Sequence, residues 1–518
     1  MPNTYHQPQD EELPTEAAPL NVAENLAAIA EYDGNLLDLV QDEAARTLLG
    51  EETVREYDMD ETSRTEWLES YKRALKATKQ TPEPKNYPFE KASNIKYPVL
   101  TSACVQFNSR AYSAITRGDQ PIVARPQGKD ADGSKAKKSE RVRTFLNNQL
   151  MYQCDEWDQG TDSLTMVLPM GGAGFRKCYW DRSLNRPVLE FATADKVVIA
   201  NDAPSFDRAP RITQPVIYYP YEIKRMIDQK LWANHDYSLT NKSEDTQHPC
   251  EYLEQQRYID LDGDGLQEPY IVTVHKESRQ VVRIEPGFQI EGLKVGQAGE
   301  VETIVRESPL IGYYFLPSLD GSVYGMGFGQ LLESLGGAVN TSLNQIIDAA
   351  HRQNAGGGFI AQGLKIRGGE LRMQPSTFKF INAPSGNIRD AVYEPQFQGP
   401  SPVLFQTMEF LLGASQDITA VKDVLSGEAP SGQAMGATLA LIEQGLQVFS
   451  TIYTRIYRSA RKELKLLMRL NRRYLNPRVY AAFLDDDDLL NELLQKTGGA
   501  PAAMSAMMQP SPMGAMGG

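Results

Sequence analysis

The sequence predicts an α+β protein built from several compact units, for three reasons. Its 518 residues exceed what one ordinary core accommodates, which points to about two to four units. Helix-like and strand-like patterns alternate irregularly as far as about Ser322. From Gly325 to Leu475, two apolar helical segments flank a β-like insert, and a Gly/Pro/Ser loop then leads into a long basic helix.

Helical periodicity is expected at Val22–Ala30, Leu36–Leu49, Ser63–Thr78, Tyr97–Arg117 and Lys138–Met151. Strands are expected at Phe175–Trp180, Val188–Phe191, Lys196–Ile199 and Ile271–Ile284, with loops at Pro126–Lys138 and Thr240–His248. The next helix spans Phe328 to His351, where Leu331, Leu335, Val339, Leu343, Ile346, Ile347 and Ala350 recur at helical spacing. Glu333 and Asp348 are its only charges, so protein neighbours should cover it on several sides. Asn340, Thr341, Ser342, Asn344 and Gln345 make it too polar to span a membrane. Gly356, Gly357 and Gly358 should end it.

The insert from Phe359 to Pro400 changes period, with Phe378, Phe380, Ile388, Val392 and Tyr393 in short β-prone runs between glycine and proline turns. Ser401-Pro402 should cap a second helix, whose stripe is Val403, Leu404, Met408, Leu411 and Leu412. Lys422 to Gly436 reads as a loop. The last long helix starts near Gln433 and should bury Leu439, Ile442, Leu446, Phe449, Ile452, Ile456, Leu464, Leu467 and Leu470. Arg455, Arg458, Arg461, Lys462, Lys465, Arg469, Arg472 and Arg473 fall largely on another face, to be read as a solvated face paired with acids such as Asp485 to Asp488. Phosphate contact is the alternative for that face.

These features together resemble the portal proteins of tailed double-stranded DNA bacteriophages, of the short-tailed type. The resemblance runs from about Thr62 to Tyr474 and rests on three places: Pro88-Phe89-Glu90-Lys91-Ala92-Ser93-Asn94, Met170-Gly171-Gly172-Ala173-Gly174-Phe175-Arg176-Lys177, and Gly325-Met326-Gly327 with the helix, insert, helix, loop, long-helix order after it. It implies the portal fold, assembled as a ring of about twelve subunits around a channel for duplex DNA. The implied divisions are an N-terminal helical arm (1–61), a mixed α/β wing (62–326), two stem helices (327–352 and 401–417), a clip (353–400), a channel loop (418–435), a long wing/crown helix with a C-terminal helical part (436–490) and a flexible tail (491–518).

The resemblance further implies partners: double-stranded DNA, the terminase large subunit, a tail adaptor, and major capsid and scaffolding proteins. It implies a place at the capsid vertex of the virion, reached from the host cytoplasm. Channel residues would be Lys422, Ser426, Gly427, Glu428, Ser431 and Gln433, and the clip cations Lys365, Arg367 and Arg372. The basic helix residues Arg455, Arg458, Arg461, Lys462 and Lys465 complete the candidates.

Bulk properties fit a conduit. A formal charge of -14 is the opposite of what a protein gripping nucleic acid over its whole surface requires, whereas a lining with scattered cations lets DNA slide. No stretch is long and apolar enough to span a bilayer, and Met1 to Pro14 lacks a signal-peptide pattern, so a soluble protein is expected. Cys104, Cys154, Cys178 and Cys250 are widely spaced and read as reduced, buried thiols.

Enzymatic constellations are weak, and no catalytic residue or cofactor is expected. Gly171-Gly172-Ala173-Gly174 with Lys177 lacks the end of a Walker loop and reads as a turn from helix to strand. Asp260, Asp262, Asp264 and Gly265 fit the opening of a Ca2+ loop, but Ile271 stands where a bidentate glutamate belongs. A β-hairpin turn is the expected reading there, and a calcium site the alternative. His6, His235, His248, His275 and His351 form no His-x-x-x-His pair. The competing function is a soluble multidomain hydrolase using acids such as Asp262 or Glu268.

Overall fold

The computed structural model describes residues 22–484 except 33, 41, 82, 88, 90–91, 117, 119, 127, 238–247, 262–264, 296–300, 356–358, 361–364, 367–380, 383–391, 394–398 and 420–434. It is mixed α+β. In chain order the helices are α1 (Val22–Glu31), α2 (Glu43–Ser63), α3 (Thr65–Thr78), α4 (Val99–Thr116), α5 (Ser134–Asn148), α6 (Asp155–Gly171), α7 (Pro220–Asp228), α8 (Phe328–Leu331), α9 (Glu333–Ala355), α10 (Pro402–Thr419), α11 (Met435–Tyr474) and α12 (Pro477–Leu484). The strands are β1 (Ala173–Asp181), β2 (Arg186–Thr193), β3 (Ile212–Tyr218), β4 (Cys250–Ile259), β5 (Glu268–His275), β6 (Val281–Pro286), β7 (Leu293–Val295), β8 (Val301–Ile304), β9 (Leu310–Tyr314), β10 (Phe359–Ile360), β11 (Lys365–Ile366), β12 (Ile381–Asn382) and β13 (Val392–Tyr393).

Two antiparallel sheets organise the body. One runs β2-β1-β9; the other is the meander β3-β4-β5-β6. The first sheet shares a core with α3, α4, α6 and α11, where Phe107, Leu168, Phe175, Phe315 and Ile456 are buried. The second packs Leu253, Val272, Val274 and Ile284 against Leu26, Ala30 and Leu36 of the N-terminal segment and Val54 and Tyr57 of α2. At the β6 edge, buried Asn35 replaces a missing strand: its amide donates to the Val282 carbonyl (2.9 Å) and its oxygen accepts from the Ile284 N–H (3.0 Å). The β3 edge carries Pro215, which has no N–H to offer another chain.

Most expected elements appear, with five differences. α5 starts at Ser134, inside the loop expected at Pro126–Lys138, behind Gly133 in the left-handed region (φ +72°). The Leu36–Leu49 pattern is a 3-10 turn at Leu36–Leu39 followed by α2, because Asp42 caps a new start by accepting the Ala44 N–H at 2.9 Å. Lys196–Ile199 is not a strand: Val198 forms a single bridge to Thr213, and the neighbouring main-chain groups are taken by Arg64 and Tyr324. Ile271–Ile284 divides into β5 and β6 around a turn where Arg279 has φ +59°. The Phe328–His351 helix is interrupted at Leu332. The two-residue strands β10 with β13 and β11 with β12 agree with a β-containing insert; Phe378, Phe380, Ile388 and the Gly356–Gly358 stop lie outside the described residues. So does the C-terminal tail. All four cysteines are buried and form no disulfide, as expected, and burial pushes the Cys104 thiol up to about 12.

Candidate functional site: a helix pair, its joint and its anchor

Two of the glycine motifs meet in space. α6 ends at Gly171, and Gly172 turns the chain into β1 with φ +87° while its N–H donates to the Leu168 carbonyl (2.9 Å). Met326 lies directly on this turn, so a Cβ on Gly172 would stand 2.6 Å from the Met326 carbonyl carbon. A Cβ on Gly327 would meet the Met170 carbonyl oxygen at 2.6 Å. The glycines serve close backbone approach, and the phosphate-cradle alternative yields to the expected turn. From this joint α8 and α9 depart, with the Gln330 side chain accepting the Gly327 N–H at 2.8 Å.

The Ala92-Ser93-Asn94 segment continues along α9 as an extended strap. The N–H groups of Ser93, Ile95 and Tyr97 donate to Asp348 Oδ1 (2.8 Å), Asn344 Oδ1 (2.7 Å) and Asn340 Oδ1 (2.6 Å). Asn344 also donates to the Ile95 carbonyl at 3.0 Å. The match is geometric: two extended residues advance about 6.6 Å, and four helical residues about 6 Å. Asn340 and Asn344, two of the polar positions that exclude a membrane span, are therefore with Asp348 a rail for the strap.

α10 pairs with α9 and is otherwise incompletely covered. It buries Ser415 and Thr419, yet Val403 is 64% exposed, Phe405 47%, Phe410 75% and Ile418 41%. At about 100° per residue, the partly covered Leu404, Met408, Leu411 and Leu412 share the side of Ser415 and Thr419. Ile418 and Phe405 flank that covered side on either hand, and Val403 and Phe410 face nearly away from it. Large apolar side chains outside and small hydroxyls inside is the reverse of a soluble helix that has found all its neighbours.

The long helix is fixed differently. Arg455, Ser459, Glu463 and Asn471 lie on one i+4 row and form a polar seam with the body. Arg455 donates to the Phe315 carbonyl (2.9 Å), and Ser459 to the Gly312 carbonyl (2.7 Å). Asn471 exchanges two hydrogen bonds with Gln149 (3.0 and 2.7 Å). Glu463 accepts from Arg176 (3.0 Å), Trp157 Nε1 (3.0 Å) and the Tyr313 hydroxyl, and the side chains of the ion pair are each 2% exposed. Burial by itself pulls the Arg176 guanidinium down, but the Glu463 carboxylate outweighs it and holds it above its ordinary value. Burial, with the same carboxylate, pushes the Tyr313 hydroxyl well up.

The basic residues of α11 divide accordingly. Arg458, Arg461, Lys462 and Lys465 are exposed, whereas Arg455 belongs to the seam, a correction to its place on the solvated face. The basic face is paired with acids, but from the body: Lys462 with Asp207 (2.7 Å), Arg469 with Glu307 (2.5 Å) and Arg472 with Glu291 (3.2 Å). Asp485 to Asp488 lie outside the described residues. Phe449, Ile452, Ile456 and Leu467 are buried as expected, and Leu464 and Leu470 half-buried; the side chains of Leu439, Ile442 and Leu446 lie outside the description.

Other candidates are scattered or undescribed. Lys422, Ser426, Gly427, Glu428, Ser431, Gln433, Arg367 and Arg372 lie outside the described residues, and Lys365 is placed only by its backbone in β11. Asp260 closes the β4–β5 turn by accepting the Gly265 N–H at 2.9 Å, in the expected hairpin; Asp262 and Asp264 lie outside the described residues. Among the described residues no three His, Cys, Asp or Glu side chains converge as a metal-binding group. Glu268 is fully buried in β5 opposite Ile259. No helix among the described residues is long and apolar enough to cross a membrane.

Sequence reasoning missed Glu463 and the pair His235 and His275. The signal for Glu463 was present: it is the sole acid between Glu443 and Asp485 on a strongly basic helix. No protein-family model matches the chain, and no curated protein matches it.

Proposed function

We propose that this chain is a portal-type subunit, forming a ring whose channel passes double-stranded DNA into and out of a phage capsid at one vertex. α9 and α10 are its stem, the insert its clip, the body its wing and α11 the long wing/crown helix. The observation that carries the reading is the surface of α10, apolar on both sides of the face it gives to α9. A helix needing cover on two sides suits a heterologous contact, in which each copy presents one surface to the copy before it and another to the copy after, and such contacts close into rings. The Gly172–Met326 joint and the strap hold the root of the pair to the body, as a stem requires.

In this reading no bond is made or broken by the chain itself. Its work is positional: it docks the terminase large subunit at the clip during packaging, contacts major capsid and scaffolding proteins, and later holds a tail adaptor. The test is electron microscopy of the purified protein. Rings of about twelve subunits with a central hole wide enough for duplex DNA are expected. Compact monomers or dimers at all concentrations and salts would overturn the reading.

A further inference from the structure

A cleft of ≈ 860 Å³ lies between α11 and the loops after β8 and β9. Arg306, Arg455, Lys462, Lys465 and Arg469 line it, against two carboxylates, Asp207 and Glu307. Five positive and two negative groups leave a formal charge of about +3 there, on a chain whose net charge is -14.

Both carboxylates are already engaged, Asp207 by Lys462 and Glu307 by Arg469. The remaining cations have no ion-pair partner among the described residues. Arg306 donates to the carbonyls of Ala209 (2.7 Å), Phe206 (2.9 Å) and Asp207 (3.2 Å), and Arg455 to that of Phe315. Main-chain carbonyls hold these guanidinium groups in place without cancelling their charge. Lys465 is exposed at the rim. Between them the walls are apolar, with Leu310, Leu316 and Val323.

We propose that this cleft docks an acidic peptide segment of a partner protein, with carboxylates meeting Arg306, Arg455 and Lys465 and an apolar residue seated between them. Charge complementarity sets the sign of the occupant. The size sets its class: the volume is that of a pocket enclosing a small ligand or a few residues, not a groove for a duplex. The inference does not depend on ring assembly.

The experiment is fluorescence anisotropy on the full-length protein, with a short fluorescein-labelled peptide of Asp and Glu around two central leucines. Binding should weaken about tenfold in Lys465→Glu, weaken with added salt, and be unchanged in Lys138→Glu, an exposed charge reversal on α5 outside the cleft. Both sites are exposed, so the variants should fold as the parent does. No binding to the parent protein, or equal loss in both variants, would overturn the proposal. Stronger competition by a short DNA duplex than by unlabelled peptide would also overturn it, in favour of nucleic acid.

Discussion

The anchor of α11 and the α9–α10 pair are both helical packing problems, solved in opposite ways. Along α11 each buried polar group meets a partner within the chain: Glu463 is met by three donors, and Asn471 and Gln149 satisfy each other. Along α10 the chain provides α9 and leaves Phe410 three-quarters exposed. Among the described residues, the first region is satisfied within the chain, and the second has apolar surface that no neighbour covers. Where a single chain stops satisfying itself is where a partner would belong, and the proposed ring contact sits there, on the helix pair.

The largest effect should come from Glu463→Ala, which strands Arg176 in the core. Removing one partner of a buried pair costs about 3–5 kcal/mol. The contrast should then collapse, with α11 loosened from the body, seen as a lower Tm and faster amide exchange in Met435–Tyr474. Unchanged exchange would mean that the apolar contacts alone hold the helix. Next is Gly327→Ala, where the new methyl meets the Met170 carbonyl oxygen and a Gly172 N–H that have no flexible end to move. Overpacking of this kind costs about 1–3 kcal/mol, and urea unfolding measures it.

Asn344→Ala tests the strap. It removes the acceptor for the Ile95 N–H and the donor to its carbonyl, which predicts a loss of about 1–2 kcal/mol with protease sensitivity confined to residues 92–98. Phe410→Asp should leave the unfolding free energy of the dissociated chain within about 0.5 kcal/mol of the parent while abolishing assembly in sedimentation. Intact assembly would remove α10 from the interface. A large stability loss in the dissociated chain would show that Phe410 is buried within one subunit.

How much of this was legible in the sequence follows the range of the interactions. The helix, insert, helix, long-helix order is punctuated by Gly and Pro and is local, so it could be read directly, as could the Ser401 cap, which accepts the Val403 N–H at 3.3 Å. The uncovered state of α10 was half-legible: its apolar stripe shows that one face is to be buried, but Phe405, Phe410 and Ile418 lie outside that stripe. The anchor was not legible, because Glu463 meets Arg176 across 287 positions and Tyr313 across 150. Asn340, Asn344 and Asp348 carry a spacing of four that any helix presents outward, and only the strap, 249 to 255 positions away for Asn344 and Asp348, turns it into a rail. Arg455 was misplaced for a related reason: it sits at the edge of the basic arc, and a carbonyl of β9's following residue decides which side it joins.

The smallest effect concerns a soft corner of the otherwise self-satisfied body. His235 Nδ1 lies 3.1 Å from the Ala233 carbonyl, which can only accept, so Nδ1 carries the proton and Nε2 accepts from the Tyr252 hydroxyl at 2.7 Å. His275 Nδ1 accepts the Ser278 N–H (3.4 Å), which fixes the proton on its other nitrogen. Both rings are thus held neutral, 5.8 Å apart between centroids. Burial lowers both from their ordinary value, and for His275 the neighbouring His235 lowers it further; Asp236 and Glu277 oppose this without reversing it. The unfolded chain takes up protons near pH 6.5 and the folded one only at lower pH. Stability should therefore be flat with respect to these groups above about pH 6.5 and fall below it, because there the unfolded state binds more protons. His351, on α9, is exposed and belongs to no such pair. Acid should accordingly open the β4–β5–β6 corner before it touches the helix pair: hydrogen exchange at Trp232–Tyr237 should rise first, and His235→Gln with His275→Gln should flatten the slope of Tm against pH. A slope unchanged in the double variant would place the acid sensitivity elsewhere.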